Sequence, residues 1–263
     1  MFVPAQRPIT IKSNRDSCHA VLGFISHGAP RDAVFVHGAG GNSLLWGRML
    51  HGLSGDFRAL AVDLPGHPRG AITCKSVGDY AEALHQFLID SQLDRPVVGG
   101  HSMGGATALT LALTHPASIG GLILVGTGAK LGVAPQILAG LRDDPMRAIE
   151  NIITPMSFNS IDLSLGREAR AAMSVSNIPV FLNDYLACTG FDVRKDLPRI
   201  SAKTLVVCGD KDMMTPPRFS DYLHASIPGS ELHLIKDSGH MLPLEKPEAL
   251  ASVVQAFLAS FTR

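Results

Sequence analysis

The sequence predicts an α/β fold class: an eight-stranded, mostly parallel sheet with helices on both faces and a small helical insertion. Three observations predict it. Eight short runs rich in Val, Ile and Leu recur along the chain, amphipathic stretches separate the later ones, and this alternation lapses once, between about residue 130 and residue 200. Short runs that are apolar throughout suit strands covered on both faces, as in a parallel sheet. Strand alternating with helix is the pattern of an α/β domain.

The elements follow in order. The runs ITIK at 9–12 and AVLGFI at 20–25 have no helix between them, so they are expected to form a hairpin at the sheet edge. AVFVH at 33–37, RALAVD at 58–63, RPVVGGH at 95–101 and GLILVG at 121–126 continue the series, and TLVVCG at 204–209 and ELHLIK at 231–236 complete it. Within 76–91, Val77, Tyr80, Ala81, Leu84, Phe87 and Leu88 recur at helical spacing beside polar positions, which predicts an amphipathic helix. No strand candidate occurs between 130 and 200, where Leu, Met and Phe accumulate with Pro135, Pro145, Pro155 and Pro179 as breakers. A chain of 263 residues lies near the upper limit for one hydrophobic core. The expected organisation is therefore one core, 1–129 with 197–263, interrupted by a helical segment at 130–196.

Composition excludes several classes. Lys and Arg number 23 and Asp and Glu number 23, so no net field draws in nucleic acid or an acidic membrane. Cys18, Cys74, Cys188 and Cys208 are scattered, without the paired spacing of a zinc site, and read as reduced thiols. The start, MFVPAQRPITIKSNRD, has no apolar leader, and no apolar run is long enough to cross a bilayer. The expectation is a cytoplasmic protein with no metal, no cofactor, no membrane insertion and no nucleic-acid partner. Its oligomeric state leaves no mark in the sequence.

Residues 100–104 read Gly-His-Ser-Met-Gly, between a strand candidate and the helix-like GATALTLALTH. A serine on such a tight strand-to-helix turn needs glycine at the flanking positions, where side chains would collide. A serine hydroxyl is a weak nucleophile without a base, and the base in turn needs a carboxylate to orient it. His240, in KDSGHMLPLEK, follows the last strand candidate and precedes a helix, which places it at the carboxyl edge of the sheet. His101 is expected to pack and His37 to brace a loop; nothing places His67 near Ser102. For the acid, GDKDMMTPP offers Asp210 and Asp212 beyond a strand end, and Asp212 is favoured because the chain must cross the sheet edge before a side chain reaches the histidine. Acyl chemistry also needs N–H donors aimed at the developing oxyanion. The amide of Met103 and an amide of the HGAGGN loop at 37–42, assigned to Ala39, are the candidates.

Taken together, HGAGG, DLPGH, GHSMGG, GDKDMMTP and SGHM resemble the α/β-hydrolase superfamily, in its order and over nearly the whole chain. The resemblance implies a sheet whose second strand is antiparallel and a cap inserted after the sixth. It implies Ser102 as nucleophile, Asp212 as acid and His240 as base, with Ala39 and Met103 as oxyanion donors. Pro68, Arg69 and Gly70 after His67 depart from the glycine and serine that many members have there.

The expected function is hydrolysis of carboxylic esters of small to medium, uncharged acyl groups, with a small-molecule ester as substrate. The apolar residues of the insertion, among them Leu138, Met146, Ile152, Met156, Phe158, Met173 and Leu186, are read as an adaptable lining. Thioesters, lactones, carbon–carbon bonds and perhydrolysis would use the same triad. Two other classes compete: a receptor on the same fold, and a nicotinamide-dependent reductase using Gly38, Gly40 and Asp63.

Overall fold

The computed structural model describes residues 18–24, 32–54, 57–153, 159, 163–173 and 177–261. Among the described residues seven strands form one sheet: β1 (His19–Phe24), β2 (Asp32–Val36), β3 (Arg58–Asp63), β4 (Val97–His101), β5 (Gly121–Val125), β6 (Lys203–Gly209) and β7 (Glu231–Ile235), in the spatial order β1-β3-β2-β4-β5-β6-β7. Strand β1 runs antiparallel to β3, and every other pairing is parallel. The expected strand at 9–12, and the hairpin it would make, lie outside the described residues.

Side-chain alternation divides the strands between two cores. Val34, Val36, Leu122, Leu124 and Val206 point into one, while Ala33, Phe35, Ile123, Val125, Leu205 and Val207 point into the other. Because both faces are covered, β2, β4 and β5 carry almost no polar residue, as their sequences suggest. Strand β7 departs from that expectation. Among the described residues it is the sheet edge, paired with β6 alone, and Leu234 is 47% exposed.

Helices α2 (Val77–Asp90) and α3 (Met103–Thr114) pack on the first core, and the short α1 (Gly47–His51) and α10 (Pro247–Ala259) on the second. The buried face of α2 is the set named from its spacing. Its start is fixed by a capping box: the Ser76 hydroxyl accepts the Asp79 amide while the Asp79 carboxylate accepts the Ser76 amide. Between β5 and β6 lie α4 (Pro135–Asp143), α5 (Pro145–Asn151), α6 (Leu163–Ala171) and α7 (Ile178–Thr189), each of α4, α5 and α7 opening with proline in its first turn. Helices α8 (Pro217–Ser226) and α9 (Leu242–Glu245) flank β7 in sequence. The four cysteines are buried and unbridged, and among the described residues no helix is long and apolar enough to cross a membrane.

Candidate active site

The turn from β4 into α3 is built by close backbone approach. A Cβ on Gly100 would lie 2.1 Å from the Gly104 carbonyl oxygen, and one on Gly104 would lie 2.4 Å from the carbonyl oxygens of Val36 and His37. Only glycine fits either place. Between them Ser102 takes φ 53° and ψ −117°, a strained conformation for a residue with a side chain. The surroundings hold it there: its amide donates to the Val125 carbonyl at 3.0 Å, and its carbonyl accepts the Thr127 hydroxyl at 2.8 Å and the Ala106 amide at 3.1 Å. The Ser102 side chain makes no capping bond to α3, so it is free for other chemistry.

Asp212 and His240 come from the loops after β6 and β7. Lys211 donates its amide to the Ser238 carbonyl at 2.9 Å, which lays the two loops side by side. Asp212 Oδ2 accepts His240 Nδ1 at 2.9 Å and the Thr215 hydroxyl at 2.8 Å, while Oδ1 accepts the amides of Met214 and Thr215 at 2.9 and 2.8 Å. Burial alone would raise the Asp212 carboxyl; the adjacent His240 and the bonds from His240 and Thr215 more than offset this and hold it below the ordinary carboxylate range. With Nδ1 facing these oxygens, the His240 proton belongs on Nδ1, which leaves Nε2 as an acceptor. Asp210 sits apart, half-buried, with a long 3.5 Å contact from the Ser238 amide and a 3.8 Å ion pair to Lys211.

The loop after β2 can be accounted for amide by amide. Gly40 donates to Asp184 at 2.8 Å, Gly41 to the Gly38 carbonyl at 3.0 Å, Asn42 to the Ala172 carbonyl at 3.0 Å, Ser43 to Asp63 at 2.6 Å, and Leu44 to the Asn42 side chain at 3.0 Å. The first amides of the turn, Gly38 and Ala39, are the ones these bonds leave over. Met103 opens α3, so its amide has no acceptor within the helix. His37 braces the loop: its Nε2 accepts the Leu64 amide at 3.0 Å and its Nδ1 donates to the Gly38 carbonyl at 2.8 Å. Burial and the neighbouring His67 push its pKa well down, which keeps it neutral. His101 packs behind His240 and donates Nε2–H to its carbonyl at 2.9 Å; burial, then His240, lowers its pKa to about 3.

Ser102, His240, Gly38 and Ala39 line one cavity of about 80 Å³, whose walls include Leu45, Ile152, Met173, Tyr185, Met214 and Phe219. Asp212 stands behind His240 and Met103 beneath Ser102, and neither lines the cavity. The insertion lines the cavity through Leu131, Val133, Tyr185 and Cys188 more than through the apolar residues expected to do so. Ile152 and Met173 line the cavity, Leu141, Ile149, Ile153, Val180 and Phe181 are core, and Met146 and Leu186 are exposed. Met156 and Phe158 lie outside the described residues. Thr215 and Asp184 were not singled out from the sequence. The signal for Thr215 was its place three residues after Asp212, the spacing of a side-chain-to-backbone turn. Asp63, the ribose-binding acid of the reductase reading, is instead buried and engaged with the Ser43 amide. Among the described residues no group of three or more His, Cys, Asp or Glu could hold a metal.

Residues 33–253 match the alpha/beta hydrolase family. The chain belongs to that family. Among curated relatives it is 29% identical over 246 residues to the pimeloyl-[acyl-carrier protein] methyl ester esterase of Neisseria meningitidis serogroup C, covering 88% of this chain and 94% of the relative. Among solved structures it is similar to a thermophilic esterase, with 31% identity, a TM-score of 0.82, and coverage of 96% of this chain and 97% of that one. It also resembles an N-acyl homoserine lactone degrading enzyme, at 27% identity and a TM-score of 0.77 over 92% of this chain and 97% of the other.

Proposed function

We propose that this chain is a carboxylesterase that cleaves small-molecule esters of small, uncharged acyl groups through an acyl-enzyme on Ser102. The observation that carries the reading is the joining of a strained serine and a carboxylate-anchored histidine at one small apolar cavity. His240 Nε2 takes the Ser102 proton as Oγ attacks the ester carbonyl, and the amides of Ala39 and Met103 receive the oxyanion. Collapse returns the proton to the leaving alcohol. Water, activated by the same nitrogen, then releases the acid. Asp212 holds the Nδ1 proton and balances the imidazolium that forms at each step.

The chain cleaves esters, in keeping with the names of its relatives, and the cavity narrows the acyl group. At about 80 Å³ it is well below the ~300 Å³ at which pockets begin to hold drug-sized ligands. Among the described residues no Lys or Arg lines it, so a charged acyl tail finds no partner there. Residues 130–196 serve as the cap on a core formed by 1–129 and 197–263. The test is a series of p-nitrophenyl esters from acetyl to decanoyl, with wild type and Ser102→Ala. The expected result is a maximum on short chains, lost in Ser102→Ala together with labelling by a fluorophosphonate. Turnover that survives Ser102→Ala would sink the assignment, and a maximum on decanoyl or on a charged acyl group would sink the acyl preference.

A further inference from the structure

Asp184, on α7, is fully buried, and the hydrolysis described above does not use it. A buried carboxylate is costly unless it is hydrogen-bonded. Its Oδ2 accepts the Gly40 amide and His67 Nε2, each at 2.8 Å, and its Oδ1 accepts the Tyr80 hydroxyl at 2.5 Å. These donors come from three places: the loop after β2, the turn at 65–69, and α2. His67 Nδ1 lies 3.2 Å from the Pro65 carbonyl and 3.3 Å from the Leu64 carbonyl, so both ring nitrogens face acceptors and both must carry protons. The charge on His67 therefore balances the charge on Asp184. Burial alone would favour the neutral ring; Asp184 and the two carbonyls more than offset it and raise the pKa.

We propose that Asp184 is a positioning residue for the oxyanion loop: by holding the Gly40 amide it fixes the adjoining Ala39 amide toward the Ser102 side of the cavity. Gly40 has φ +65°, and a Cβ there would meet the Phe181 ring at 2.3 Å, so α7 meets this residue both by contact and by hydrogen bond. The Gly40 amide belongs to the peptide that follows Ala39. If that peptide turned, Ala39 would turn with it. The same helix also walls the cavity through Tyr185 and Cys188, so one rigid element shapes the acyl site and sets the aim of the oxyanion donor. Asn177 and Asn183 tie α7 to the core as well, through the carbonyls of Gly66 and Cys74.

This inference rests on the acyl-enzyme reading of Ser102, and the experiment separates the two. Asp184→Leu removes every acceptor at the site, whereas Asp184→Asn keeps an oxygen that the Gly40 amide can still reach. Steady-state kinetics on p-nitrophenyl acetate, with the affinity of a trifluoromethyl ketone that forms a tetrahedral oxyanion, are measured for both. For Asp184→Leu the expected loss is about 100-fold in kcat, the scale of a misplaced catalytic group, with KM little changed and ketone affinity falling in parallel. Asp184→Asn recovers most of the loss. Tyr80→Phe removes a donor that does not touch the loop, and it lowers the denaturation midpoint without a comparable fall in kcat. Should Asp184→Leu not fold, Asp184→Ala, which also removes every acceptor but adds no bulk, carries the test in its place, with ketone affinity and kcat reduced together and binding of the product acid unchanged. Wild-type kcat in a folded Asp184→Leu, or losses in all three variants that follow stability alone, would overturn the inference while leaving the esterase reading intact. A wild type that neither turns over an ester nor binds the ketone would remove both.

Discussion

Replacing Asp212 by Asn keeps the side chain's shape while removing its charge and one of its acceptors. The two carboxylate oxygens face different partners: Oδ1 the amides of Met214 and Thr215, and Oδ2 the Thr215 hydroxyl and His240 Nδ1. An amide has one oxygen, so one pair of donors must meet the NH2 group. Turning NH2 toward the backbone pair leaves two buried N–H groups unmatched, at about 1–3 kcal/mol each, or roughly 2–6 kcal/mol together. Turning it toward Thr215 and His240 costs less, because the hydroxyl can rotate to accept and the imidazole can present a bare Nδ1. The second orientation wins. It moves the ring proton to Nε2, where it blocks abstraction of the Ser102 proton. The expected loss is about 10⁴-fold in kcat, as when a triad imidazole is held in the wrong tautomer. That is about 5.4 kcal/mol of barrier at about 1.36 kcal/mol per factor of ten. Asp210→Asn is the control, since that half-buried carboxylate faces the Ser238 amide at 3.5 Å and Lys211 Nζ at 3.8 Å rather than His240, and its rate should stay close to wild type. Initial rates on p-nitrophenyl acetate, with near-ultraviolet circular dichroism confirming the fold, decide the matter. Comparable losses in both variants would refute the tautomer argument, and a greater loss in Asp210→Asn would move the acid to that residue.

Thr215→Val removes one bond to a buried carboxylate and leaves the backbone amides in place. With about 1.5–3 kcal/mol for a hydrogen bond to a charged group, at least a tenfold fall in kcat with little change in KM is expected from steady-state rates. Gly104→Ala drives a Cβ against the carbonyl oxygens of Val36 and His37, on strand-end backbone that cannot yield cheaply. Overpacking of this kind costs about 1–3 kcal/mol or more, to be read as a lowered urea midpoint together with lost fluorophosphonate labelling. The pH dependence of stability follows from signs. His67 has a raised pKa, so its pair with Asp184 contributes fully below the ordinary histidine value of ~6.5 and is lost as pH rises through the raised value. His37 and His101 are depressed, so their contribution is lost on the acid side as pH falls below that ordinary value. Urea midpoints across pH should show the alkaline decline flattened in His67→Gln and the acid decline unchanged; an alkaline decline of the same size in His67→Gln would contradict the assignment.

Most of the sheet was legible because each strand has to satisfy two cores at once. Phe35 and Val36 face opposite ways and both are fully buried, so no polar residue could be placed in that run without cost. Strand β7 reads the same way in sequence and behaves differently, because edge position is a property of strand order rather than of any one strand's composition. The helix at 77–90 was legible for a similar reason, its buried positions repeating at the period of the helix itself. The insertion was less so. Its apolar residues divide into core, cavity wall and surface, and composition does not separate Ile152, which lines the cavity, from Ile153, which does not.

At the site, the legible residues are those held by local backbone. Gly100 and Gly104 are required by a turn five residues long, and a strand-to-helix turn shows itself in sequence. Asp184 is held instead by partners 144, 117 and 104 residues away along the chain, and no local pattern records them. One signal was nevertheless present. In IPVFLNDYLACT, Asp184 is the single charged residue of a helix that is otherwise largely apolar, and a carboxylate so placed must either reach solvent or find donors. Phe181, Tyr185 and Cys188 occupy neighbouring turns around it and are themselves buried, which rules out solvent. A lone charge flanked at helical spacing by core residues is thus evidence that distant donors exist, and here one of them is the backbone amide next to the oxyanion position.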